Sequence, residues 1–196
     1  MTKISFLDKI AKVLIEKHSD NLPNTIVILP NKRAKIFLIE ALKKQINNTI
    51  FAPDIISIED FIQNIAQLRS IDSIELIFEF YEVYLSATEK SKQQSFELFA
   101  NWAKTLLQDF NEIDRYLLEP NKILKYLDDI KEVEHWSVEA EKKTDLIKKH
   151  LEFWKLLPHY YHSFYNYLEN KGVGYQGMIY REAVNKINTF SKTKSE

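Results

Sequence analysis

Three glycines serve a chain of 196 residues, and all of them, Gly172, Gly174 and Gly177, fall within one six-residue stretch. Tight turns and positive backbone torsions draw on glycine. A chain this poor in it is restricted to helices joined by few such turns. The same scarcity bears on chemistry. No G-x-x-x-x-G-K-S/T occurs, and glycine is absent before residue 172. Without a Gly-rich loop, backbone amides cannot cradle a triphosphate.

Apolar spacing agrees with a helical chain. Phe96, Phe99, Ala103, Leu106, Phe110, Ile113 and Leu117 alternate steps of three and four, which predicts one long helix with a single buried stripe. Phe6, Ile10, Val13, Leu14 and Lys17 place a helix over Ser5–His18. Ile74, Ile77, Phe78, Tyr81 and Leu85 form a further stripe. Pro120 and Asn121 open a helix through Ile123, Leu124, Leu127 and Ile130. Glu132–Thr144 reads as a polar loop. Leu146–Lys171 is a long aromatic helix containing Pro158, with Phe153, Leu157, Tyr160, Phe164 and Leu168 on one face. The glycine cluster marks a loop, and Met178–Phe190 is the last helix.

One segment breaks the pattern. Thr25–Leu29 is a short apolar run closed by Pro30, followed by Asn31-Lys32-Arg33 and a helix to Ile46 with Phe37, Leu38, Ala41 and Leu42 inward. This reads as buried strand, turn and helix. Thr49–Ile58 is extended and offers a second parallel strand, since Pro53 excludes a helix interior and Ile55, Ile56 and Ile58 are β-branched. Ser57-x-x-Asp60 then starts another helix in the manner of a capping box. The expected class is therefore α/β but mostly helical: a small parallel β/α unit over 1–70, an all-helical region over 71–190 and a polar tail over 191–196. Two strands alone make a poor sheet, so further strands are expected, in this chain or beyond it.

Net charge is −1, which gives no global signal for nucleic acid. The charge is uneven, however. Residues 31–44 carry Lys32, Arg33, Lys35, Lys43 and Lys44 against Glu40, whereas residues 109–141 hold ten acids against four cations. An anion site is therefore expected at the N-terminal strand–helix unit. Absence of cysteine removes disulfides, thiolate catalysis and Cys-ligated zinc, and fits a cytoplasmic setting. No apolar run approaches a membrane span.

Four segments carry a resemblance. Val27-Ile28-Leu29-Pro30-Asn31-Lys32-Arg33-Ala34 resembles the early strand and loop of AddB-type helicase–nuclease subunits, the AddB-like PD-(D/E)XK nuclease family. Ile56-Ser57-Ile58-Glu59-Asp60-Phe61 is similar to that family's strand-to-helix step. Residues 99–114 resemble its F-x-x-W-x-x-x-L-L-x-D-F-x-x-I-D helix, and residues 174–183 its G-Y-Q-G-x-x-Y-R-E-A turn and helix. The resemblance spans about residues 5–190. It implies the first part of an inactivated superfamily 1 helicase-like module, a degenerate P-loop β/α unit with a large helical insertion, in a longer DNA-repair nuclease. It implies no ATP hydrolysis, no cofactor and no catalytic residue in this chain. The expected partners are single-stranded DNA and a helicase subunit, with no membrane.

On this reading Asn31, Lys32, Arg33 and Lys35 contact the phosphates of a DNA strand; the alternative is a solvated helix start. Pro53-Asp54 and Glu141-Lys142-Lys143 formally spell a PD…E-x-K nuclease signature. Glu141 lies in a polar stretch with no strand alternation, so a shared metal is not expected there. His18, His135, His150, His159 and His162 lack zinc-ligand spacing. The ring-bearing residues from Phe153 to Tyr167, with Tyr175 and Tyr180, can stack on bases or form a core, and their helical stripe favours a core. Asp109, Glu112 and Asp114 do not share one helix face, and a structural hydrogen-bonding role suits Asp109 and Asp114 better than a metal. A rival function is a helical interaction module whose aromatic face docks a partner subunit.

Overall fold

The structure is a computed structural model and describes residues 4–46, 49–126 and 145–193. The described residues are mostly helical and form two small parallel sheets. Two compact units divide the chain, Met1–Asn64 and Ile65–Glu196.

The first unit opens with α1, Phe6–His18. Its start is a reciprocal capping box: Asp8 N donates to Ser5 Oγ at 3.1 Å, and Ser5 N to Asp8 Oδ2 at 2.9 Å. A 3-10 segment over Ser19–Asn24, carrying Pro23, leads into β1, Ile26–Leu29. Helix α2 covers Lys32–Lys43, β2 Asp54–Ser57 and α3 Ile58–Ala66. The strands are parallel, with Ile26 opposite Asp54 and Leu29 opposite Ser57. Alternate strand residues share a face. Val27, Leu29 and Ile55 accordingly meet Leu14, Leu22, Leu38 and Leu42 in the unit's core. On the other face Ile28 is 41% exposed. Phe37 was expected inward, yet it is 60% exposed. Leu38, Ala41 and Leu42 already fill the inward stripe of α2, and Phe37 lies one residue (about 100°) round from it.

In the second unit β3, Arg69–Ser70, pairs in parallel with β4, Val173–Gly174. These strands were hidden in the sequence. Two residues offer no alternation to read, and the glycine cluster around β4 suggested loop alone. Gly172 supplies the positive φ of +67° that turns the chain into β4. Helix α4, Ser73–Ala87, is capped by Asp72, whose Oδ1 accepts from Ile74 N and Glu75 N, both at 2.8 Å. Its inward residues are Leu76, Ile77, Phe80, Val83 and Tyr84. Of the expected stripe, Ile77 is buried and Tyr81 and Leu85 are half-buried, but Ile74 and Phe78 are turned away, because α4 is apolar on most sides and the Phe80 side wins the core. Helix α5 spans Phe96–Arg115 and buries Phe99, Ala103, Leu106, Phe110 and Ile113, as its stripe requires. Leu117 lies past its end at φ 54° and is exposed. A further helical segment, α6, covers residues 120–126 and buries Leu124. The expected Leu127, Ile130 and 132–144 features lie outside the described residues.

Helix α7, Asp145–Asn170, runs through Pro158, and α8 spans Gln176–Thr193. Phe80 is the hub of an aromatic core, with ring centroids 4.8 Å from Phe164 and 5.3 Å from Phe99. Helix α8 reaches α5 at Gly177, where a Cβ would stand 2.2 Å from the Asn111 carbonyl oxygen. Gly177 N also donates to Asn111 Oδ1 at 2.8 Å.

Candidate nucleic-acid interface

Parallel strands in register end at the same edge, and here each runs almost directly into a helix. Leu29 and Ser57 lie side by side. Two residues after Leu29, Asn31 is extended at φ −155° and its Oδ1 accepts from Ala34 N at 3.0 Å, capping α2. Ser57 does the same for α3: its Oγ accepts from Asp60 N at 3.1 Å and donates to Asp60 Oδ2 at 2.8 Å. Two helix N-termini, each with positive partial charge, thus open at the carboxyl ends of two strands. Such an edge is where open α/β sheets hold ligands.

The four expected contact residues divide. Asn31 spends its oxygen on the cap. Lys32 Nζ meets Asp60 Oδ1 at 2.8 Å, with side chains 67% and 38% exposed. The bond from Lys32, then that from Ser57, holds Asp60 below the usual carboxylate range, and the same contact raises Lys32. Arg33 and Lys35 are exposed and make no hydrogen bond or ion pair among the described residues. Asp60 was the residue sequence reasoning missed here. Its Ser57-x-x-Asp60 spacing announced the cap, but only strand pairing reveals that the acid also lies beside Lys32.

The other candidates settle into structural roles or fall out. Asp114 is fully buried and accepts from Tyr161 Oη, Tyr175 Oη and, at 2.6 Å, Arg181 Nε. Arg181 Nη2 adds bonds to Ile113 O at 3.0 Å and Leu118 O at 2.6 Å. Burial, followed by Asp114, pushes both phenols well above their ordinary range, so they remain donors. Nearby, Tyr165 Oη donates to Glu182 at 2.7 Å. Burial pushes the Glu182 carboxyl up, but bonds from Tyr165, Lys186 and Asn185 outweigh it and leave it lowered. Asp109 was expected to share the structural role of Asp114. It is exposed and makes no hydrogen bond or ion pair among the described residues. Glu112 faces Arg115 at 3.7 Å. Tyr160, Tyr161, Phe164 and Tyr175 are buried, so those rings belong to the core and do not offer faces to bases.

Asp54 is exposed at the start of β2, and Glu141 lies outside the described residues. His162 Nε2 pairs with Asn121 Oδ1 at 2.8 Å. His135 and the side chain of His150 are outside the described residues. Among the described residues, no three acids or histidines converge as a metal site, and no helix is long and apolar enough to cross a membrane. Comparison with protein-family models and with characterised proteins finds no match to this chain.

Proposed function

We propose that this chain is a non-catalytic, helicase-like module of an AddB-like DNA-repair nuclease, and that it guides a DNA single strand across the edge formed by Leu29–Arg33 and Ser57–Asp60. The observation that carries the reading is the pair of capped helix N-termini at the carboxyl ends of β1 and β2, with Arg33 and Lys35 exposed beside them and without a hydrogen bond or ion pair among the described residues. Phosphates are attracted by both features. A strand arriving there draws Lys32 away from Asp60, which otherwise serves as the cation's internal partner. The helical residues 71–190 act as scaffold. Support for that part comes from two segments that carry the family resemblance: Asn111 and Asp114 of one bond Gly177, Tyr175 and Arg181 of the other. The nuclease itself, and a location in the cytoplasm, belong to the same proposal.

Nuclear magnetic resonance tests it. On titration with a short oligothymidine, backbone amides of residues 31–35 and 57–60 are expected to shift together. Shifts confined to other residues, or none at millimolar oligonucleotide, contradict the reading. A second reading, a protein-docking module, loses the α7 aromatic face to the core. It keeps one observation in its favour, an open groove on the second unit.

A further inference from the structure

We draw no further inference here: the strongest candidate, the open groove along α4 and α5 with Ile74, Phe78, Phe96 and Ala100 beside it, carries nothing, because nothing in the structure shows what occupies it.

Discussion

Replacing Asp114 should be among the most damaging single changes in the second unit. Its carboxylate lies at 0% exposure and receives three donors, Tyr161, Tyr175 and Arg181. Asp114→Ala strips the counter-ion from a guanidinium whose side chain is only 18% exposed. Breaking such a pair costs about 3–5 kcal/mol, because the remaining charge stays desolvated. Each orphaned phenol adds about 1–3 kcal/mol where it cannot reach water. The terms overlap, since partial collapse and water entry relieve all three groups together, so the expected total is about 4–6 kcal/mol. That is a large share of the ~5–15 kcal/mol that holds a domain folded. Asp114→Asn should cost less, about 2–3 kcal/mol, since one acceptor oxygen survives while the amide meets a hydroxyl that can rotate to accept. Urea unfolding monitored by far-UV circular dichroism gives both values. A double-mutant cycle with Arg181→Met isolates the ion pair, whose coupling should exceed about 1 kcal/mol. A cost below about 1 kcal/mol for Asp114→Ala would refute the reasoning, for it would mean that water already reaches the carboxylate.

Phe110→Ala should cost about 3–5 kcal/mol in the same assay, because Phe110 is fully buried and its ring meets Phe80 at 6.1 Å and Tyr161 at 5.1 Å. Gly177→Ala should destabilise by about 1–3 kcal/mol despite its gain in helix propensity, since its Cβ meets backbone of α5 at 2.2 Å; a neutral result would mean α8 can lift without loss. Glu79 accepts from Lys171 at 2.6 Å and Tyr167 at 2.7 Å, and the Lys171 bond leads in holding its carboxyl below the usual range. A depressed folded pKa means its stabilisation is present above the unfolded carboxylate pKa, about 4.3, and is lost as pH falls through the folded value. Glu79→Gln should therefore flatten the acid side of the stability–pH curve, and an unchanged acid limb counts against that assignment.

The elements with long periodic stripes could be read before any coordinates. The α5 stripe from Phe99 to Ile113 is buried as its spacing requires, because one clean stripe leaves one way to face the core. Helix α4 was legible as a helix but not in its rotation. Ile74 and Phe78 compete with Phe80 and Val83, and only the fit against Phe99 and Phe164 decides. The strands β1 and β2 announced themselves through β-branched residues and Pro30, whereas β3 and β4 are fixed by pairing between residues more than a hundred positions apart. Asp114 illustrates the same limit. Its motif position marked it as structural, but its three donors come from α7, from α8 and from Tyr175 between β4 and α8, and no local pattern encodes that meeting. At the β1–β2 edge the cations were visible and the cancelling Asp60 was not.

The most direct test of DNA guidance at that edge is the salt dependence of single-strand binding. A labelled oligothymidine is titrated by fluorescence anisotropy across a range of sodium chloride, with wild type, Arg33→Ala/Lys35→Ala and Asp60→Asn compared. Each cation that neutralises a phosphate contributes about 0.7 to the log–log slope for a single strand. Removal of Arg33 and Lys35 should therefore lower the slope by about 1.4 and weaken binding uniformly across sequences. Asp60→Asn should move the opposite way, strengthening binding and steepening the slope as Lys32 is released from its internal partner. Three superimposable salt curves would contradict the account.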